Sequence, residues 1–242
     1  MTAAGRPTGT DRRRFATAVV LAVIFSWASS LPGASGAPTA SELPSAARRL
    51  EGALGKGPGI RMDFDLVREV DLTGETLGGS GFLAFRRPDR FRLVYLDPEP
   101  QEMVVAGDSL WVLLFDQHQA MRFTFDPEAP GSEVFLLFRG RMDDLTRLFE
   151  ITEEPWAGYD DALLLVPSTE DPTYPLEELR LAVDRRGVPV RLAYREITGD
   201  TVTFEFRRRK ATGAELDRLT RLRLPAGMEV LDGDELTGDR SR

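Results

Sequence analysis

Apolar and polar residues alternate along several short segments of this chain, and this alternation constrains the fold more than any other feature of the sequence. The first segment places bulky apolar residues at every second position: Ile60, Met62, Phe64 and Leu66. Because successive side chains of a β-strand point to opposite faces of a sheet, the pattern predicts a strand with one buried and one wet face. Later segments repeat it: residues 121–125, 179–183, 188–194 and 202–206.

Short turn sequences connect the predicted strands. They contain Gly beside Thr, Asp or Arg, at residues 73–74, 106–108, 185–187 and 198–200. Such connections are typical of antiparallel hairpins, so we expect a long antiparallel meander. Midway through the chain, apolar residues recur at helical spacing. A sheet with one apolar face must close or be covered. We therefore expect a mainly β (α+β) fold: a curved, unclosed antiparallel β-barrel with a helical lid at about residues 127–150.

The N-terminal region has the composition of a targeting segment. Three arginines at residues 12–14 precede an apolar run at 15–27, and small residues follow at 34–37. This order predicts a signal peptide over residues 1–37, cleaved near Gly36 and Ala37, with an uncleaved anchor as the alternative. We expect the remaining chain to divide into a short linker at 38–44, one domain at 45–231 that begins with a helix, and a flexible acidic tail at 232–242.

Composition limits the classes of function. Without cysteine there is no disulfide, thiolate metal site or Cys nucleophile. The net charge of −8 argues against nucleic-acid binding and against tight adhesion to anionic membranes. The single histidine, His118, lies in a polar turn, which disfavours a His-based triad. We expect no enzymatic activity, cofactor, metal or stable membrane insertion, and a monomer. The basic run at 207–210 indicates a solvated strand end, with partner docking as the alternative.

Several motifs follow one another in a fixed order. Between residues 81 and 111 these are Gly-Phe-Leu-Ala-Phe, Arg-Arg-Pro, Phe91 to Tyr95, Asp-Pro and Gly-Asp-x-Leu-Trp, and Leu-Pro-x-Gly-Met-x-Val follows at 224–230. From about Ala46 to Leu231 the chain resembles the LolA-type periplasmic outer-membrane lipoprotein carriers. The resemblance implies a periplasmic carrier that binds acyl chains of lipoproteins and shuttles them from the inner to the outer membrane. The alternative is a lipid-binding sensor or regulatory domain of the cell envelope on the same scaffold.

The resemblance also implies site residues and partners. Arg87 matches an arginine that bonds toward the lid, although a one-residue slip would put Arg86 on that face instead. The implied partners are acylated lipoproteins, an inner-membrane ATP-binding-cassette release complex and an outer-membrane acceptor. The cavity is either open to lipid or filled by its own side chains. Its expected lining is Phe64, Leu83, Phe85, Phe91, Leu93, Tyr95, Trp111, Leu113, Phe123, Phe135, Phe138, Phe149 and Phe204.

Overall fold

The computed structural model of the protein describes residues 43–127, 129, 132–169 and 171–237. The expected signal peptide and most of the expected linker lie outside the described residues, as does the end of the expected tail. Within the described part of the chain, no helix is both long and apolar enough to cross a bilayer.

Strands dominate the described chain. They are β1 Gly59–Val70, β2 Glu75–Arg86, β3 Arg90–Asp97, β4 Gln101–Ala106, β5 Ser109–Leu114, β6 Gln119–Thr124, β7 Phe149–Glu153, β8 Ala162–Pro167, β9 Leu176–Val183, β10 Pro189–Glu196, β11 Thr201–Arg209 and β12 Glu229–Asp232. The α-helices are α1 Ser45–Leu54, α2 Glu133–Arg139, α3 Met142–Leu148, α4 Gly213–Leu219 and α5 Gly233–Thr237. A short 3-10 helix at Phe115–Gln117 joins β5 to β6.

All twelve strands belong to one sheet, in the order β12-β6-β5-β4-β3-β2-β1-β11-β10-β9-β8-β7. Strands β1 to β6 form one antiparallel meander and β7 to β11 another, and β1 joins them by pairing with β11. The edge strands β12 and β7 do not pair with each other, so the curved sheet is unclosed. The predicted mainly β, unclosed architecture is confirmed. Only β12 departs from the antiparallel pattern, because it lies parallel to β6.

One face of the sheet carries the hydrophobic core. The Phe64 ring lies edge-on to Tyr95 and Phe204, with centroids 5.6 and 5.2 Å away. Gly81 lies opposite Phe64 on β2. This position accepts only glycine, because a Cβ there would lie 2.6 Å from the Phe64 ring and 2.0 Å from the Val94 carbonyl oxygen. Helices α1, α2 and α3 cover this face with buried apolar side chains: Ala46, Ala47, Leu50, Leu54, Phe135, Leu136, Leu137, Phe138, Met142 and Leu145.

The chain after β11 crosses the opposite face of the sheet. Arg86 donates to Asp217 of α4 over 3.1 Å, and Arg92 donates to the Leu219 carbonyl over 3.0 Å. Residues 233–237, which belong to the expected tail, then form α5. The Asp232 carboxylate accepts from the Asp234 amide at the start of α5 over 3.0 Å, which is the usual role of Asp at a helix N-cap.

Candidate functional site

An apolar cavity of about 70 Å³ lies between the core face of the sheet and α2. Side chains from β3, β4, β5, β9, β10 and β11 form its walls, together with α2. The apolar and aromatic lining consists of Phe91, Leu93, Tyr95, Met103, Val105, Leu110, Phe125, Val134, Phe135, Pro175, Leu176, Leu179, Tyr194 and Phe204. Such a lining favours an apolar ligand, because burying each methylene group stabilises a complex by about 0.8 kcal/mol.

Phe135 of α2 lines this cavity and packs against three other aromatic rings. Its ring lies edge-on to Phe125, Phe91 and Phe85, with centroids 4.9, 6.0 and 6.2 Å away. Binding sites for small molecules usually enclose about 300–1,000 Å³. The cavity in this conformation is therefore too small for a long apolar ligand, and a displacement of α2 that withdraws Phe135 would enlarge it.

Polar groups are concentrated where α2 begins. Glu133, the first residue of α2, is 5% exposed and accepts a hydrogen bond of 2.8 Å from the Tyr174 hydroxyl. Burial and the neighbouring Glu133 carboxylate raise the pKa of Tyr174 above its ordinary range, so Tyr174 stays neutral and keeps its proton for this bond. Ser132 and Glu133 both line the cavity. One side of the apolar cavity therefore offers acceptors and a hydroxyl group.

A buried ion cluster supports the same side of the cavity. Arg68 is 6% exposed and contacts Asp200 over 2.6 Å and Glu196 over 3.0 Å. Glu196 also lines the cavity. Burial alone would lower the pKa of Arg68, but its hydrogen bond to Asp200 and the two carboxylate charges raise it instead. Burial raises the pKa of Glu196 although Arg68 acts in the opposite direction.

The structure brings part of the expected cavity lining together. Five of the expected residues line the cavity: Phe91, Leu93, Tyr95, Phe135 and Phe204. Six others belong to the surrounding buried core without lining the cavity: Phe64, Leu83, Phe85, Phe123, Phe138 and Phe149. The interior is therefore partly filled by its own side chains and partly open: six of these residues pack in the core, and five surround the cavity.

Trp111 and Leu113, also expected at the cavity, are not among the residues that line it. Leu110 and Val112 of the same strand belong to the core cluster. Because side chains alternate along a strand, Trp111 and Leu113 point to the opposite face of the sheet. Leu113 is nevertheless fully buried. Apolar residues on both faces of β5 made the core face ambiguous from the sequence.

Arg87 forms a different contact from the one expected. Its guanidinium donates to the carbonyls of Gly57 over 2.9 Å and Lys56 over 3.4 Å, in the loop between α1 and β1. Among the described residues it makes no hydrogen bond to α2 or α3, so a direct bond to the lid is absent from this conformation. Arg86 instead bonds to Asp217 of α4 and to the Pro58 carbonyl.

Several residues that line the cavity were not predicted from the sequence. Met103 and Val105 lie opposite Leu93 and Phe91 in the pairing of β3 with β4. Residues 103–106 are all apolar, so only the register of the strand pairing shows which of them face the cavity. Glu133 and Glu196 gave no signal, because acidic residues are usually exposed and their burial depends on partners distant in sequence.

The fold and the cavity define a mainly β protein with an apolar chamber between an unclosed sheet and a helix. The chain belongs to the LolA family, described as outer membrane lipoprotein carrier protein LolA, whose model matches residues 70–218. The family predicted from the sequence motifs is thereby confirmed.

Individual relatives are similar over most of their length. The outer-membrane lipoprotein carrier protein of Halorhodospira halophila is 31% identical over 162 residues, 66% of this chain and 73% of the relative. That of Nitrosospira multiformis is 27% identical over 182 residues, 71% of this chain and 81% of the relative. A solved LolA superfamily protein from Nitrosomonas europaea gives a TM-score of 0.39 at 11% identity, covering 74% of this chain and 96% of that chain.

Proposed function

We propose that this protein is a periplasmic carrier that holds the acyl chains of lipoproteins between the sheet and α2 and passes them from the inner to the outer membrane. The observation that carries the proposal is the apolar cavity beneath a short helix, in a chain of the lipoprotein-carrier family. In this proposal the carrier catalyses no reaction, and it is exported through the signal peptide expected at residues 1–37.

Opening of α2 and α3 would admit the ligand. Withdrawal of Phe135 would expose the walls formed by Phe91, Val105 and Leu179. An acyl chain could replace the aromatic contacts that Phe135 makes in the closed conformation. The closed conformation would hide this apolar surface whenever no ligand is bound, which protects the protein from aggregation.

Energetics require partners at both ends of such a transfer. Burial of an acyl chain contributes about 0.8 kcal/mol per methylene, but a chain in a bilayer has already gained that free energy. Extraction from a membrane is therefore close to neutral at best. We propose that an ATP-binding-cassette release complex supplies the cargo at the inner membrane and that an outer-membrane acceptor removes it.

Arg87 has an indirect connection to the helical cover in this proposal. It holds the loop that follows α1 through the carbonyls of Lys56 and Gly57. Helix α1 also contacts α3, since the Glu51 carboxylate of α1 accepts a hydrogen bond of 3.2 Å from the Met142 amide at the start of α3. We infer that Arg87 is a positioning residue that fixes α1, and that α1 in turn fixes α3.

Binding of a fluorescent fatty acid to the purified protein tests the proposal. We expect Val105→Phe, which adds volume to the cavity wall, to weaken binding about tenfold, while the same change at the exposed Val166 leaves binding unchanged. Equal affinities for both variants would overturn the cavity assignment. In cells depleted of the protein, we expect lipoproteins to accumulate at the inner membrane, and unchanged sorting would contradict the carrier function.

A further inference from the structure

A second concave surface, which we call the basic groove, lies beside α1 on the outside of the molecule. It encloses about 620 Å³ and is lined by α1, the loop after it, the turn before β10 and the end of β11. Its charged lining residues are Arg48, Arg49, Lys56, Arg185, Arg186 and Arg208. The lining includes no acidic residue, although the whole chain carries a net charge of −8.

A close backbone contact builds this groove. Gly187, with φ +81, sits in the turn between β9 and β10, and a Cβ there would lie 2.1 Å from the Arg49 carbonyl oxygen. The turn therefore lies directly against α1, and this brings Arg185 and Arg186 beside the arginines of the helix. The Asp184 carboxylate is occupied by the turn itself, since it accepts from the amides of Arg186 and Val188.

The charged groups of four of the six cationic side chains have no hydrogen-bond or ion-pair partner within the described part of the chain. Arg48 donates to the Leu43 carbonyl, and Arg49 forms an ion pair of 2.6 Å with Asp161. Among the described residues, no hydrogen bond or ion pair engages the charged groups of the remaining four: Lys56, Arg185, Arg186 and Arg208. Like charges repel at this proximity, so the groove costs stability unless a bound anion compensates it.

Strand alternation separates Arg208 from the other arginines of the basic run at 207–210. Arg207 and Arg209 form ion pairs with Asp65 and Asp63 across the pairing of β11 with β1. Arg208 lies between them on the side of Phe206, beyond the end of the core, and lines the groove. The run therefore contains two arginines used by the sheet and one that is available to a partner.

We propose that the basic groove is a docking site for an acidic polypeptide segment of a partner protein. A groove lined by cations is electrostatically complementary to an acidic chain, whereas binding to a membrane surface usually also needs apolar side chains beside the basic ones. Among the described residues the most exposed large apolar side chain is that of Leu72, which lies instead in the turn between β1 and β2, at the opposite end of the strands. The Gly57 wall of the groove is held by Arg87, so docking would act on the loop next to α1.

Titration of a fluorescently labelled oligoglutamate peptide into the full chain tests this proposal. We expect binding at low salt that weakens as ionic strength rises, despite the negative charge of both molecules. The double reversal Arg185→Glu with Arg186→Glu should weaken it by about tenfold or more. The matched control is Arg221→Glu with Arg223→Glu, two exposed arginines outside the groove, and it should change the affinity less than about twofold.

Fatty-acid binding and vesicle binding by the same variants separate this proposal from the carrier function and from membrane binding. Fatty-acid binding should be unchanged in the Arg185 and Arg186 variant, so failure of the groove proposal is distinguishable from failure of the carrier function. Vesicles containing phosphatidylglycerol should not bind through these arginines. Equal loss of peptide binding in both charge-reversal variants would overturn the proposal, and so would arginine-dependent binding to vesicles without binding to the peptide.

Discussion

The charged side chains at the two ends of strands β1, β10 and β11 differ in burial and in pairing. At one end Arg68, Glu196 and Asp200 are buried beside the apolar cavity, and Arg68 forms ion pairs with both carboxylates. At the other end Arg186 and Arg208 are exposed and line a groove without acidic residues. A buried charge without a partner is strongly destabilising, whereas an exposed one is solvated by water. Changes to the buried charges therefore affect the stability of the fold, whereas the exposed charges can interact with a partner at little cost in stability.

Removal of the cation from the buried end should have the largest effect. Arg68→Met leaves the carboxylates of Glu196 and Asp200 without their common partner. We expect the free energy of unfolding to fall by about 3–5 kcal/mol, measured by urea denaturation. The control is Arg195→Met, which removes an exposed pair with Glu177 at 3.9 Å and should cost less than about 1 kcal/mol.

Neutralisation of the whole cluster provides the sharper comparison. Combining Arg68→Met with Glu196→Gln and Asp200→Asn removes the uncompensated charges, so much of the lost stability should return. If Arg68→Met alone costs no more than Arg195→Met, the buried end is not held by ion pairing and the contrast between the two ends fails.

The cavity beside the ion cluster should be sensitive to the loss of Phe135. Phe135→Ala removes the ring that contacts Phe85, Phe91 and Phe125. We expect a loss of about 3 kcal/mol in the free energy of unfolding, because the site already borders an open volume. Fatty-acid affinity should rise in the same variant, because the ligand no longer has to displace the Phe135 ring from the cavity. A loss of both stability and affinity would show that Phe135 contacts the ligand and does not exclude it.

The exposed end depends on backbone geometry, which a glycine substitution can test. Gly187→Ala introduces a left-handed Ala and places its Cβ against the Arg49 carbonyl. We expect a loss of about 2 kcal/mol in the free energy of unfolding and weaker oligoglutamate binding. Gly107→Ala is the control, since Gly107 has φ +66 but open space around its Cβ position, and should cost only about 1 kcal/mol without affecting the groove. Equal costs would mean that the turn does not depend on its contact with α1.

Local patterns in the sequence were sufficient for most of the fold. Alternation identified β1 and β11, and helical spacing identified α1 and the helices between the strand groups, because these signals depend on each segment alone. The face of β5 and the burial of Glu196 could not be found in this way. Trp111 and Leu113 are apolar like their neighbours on β5, so the sequence does not show which face they occupy. The burial of Glu196 depends on Arg68, which is 128 residues away in sequence. The basic groove likewise required α1 and the Gly187 turn to be in contact.

The smallest expected effect is a pH dependence at the buried end. Burial raises the pKa of Glu196 above its ordinary value of 4.5, so the folded protein binds this proton more tightly than the unfolded chain does. Stability from this group is therefore fully present below pH 4.5 and is lost as the pH rises through the raised pKa. We expect the unfolding free energy of the parent protein, relative to Glu196→Gln, to decrease from pH 4.5 upward. The carboxylates of Asp65 and Asp217, whose pKa values are lowered by hydrogen bonds from Arg207 and Arg90, cancel in this difference. A difference that grows with pH would mean that the ion pair with Arg68 outweighs the burial of Glu196.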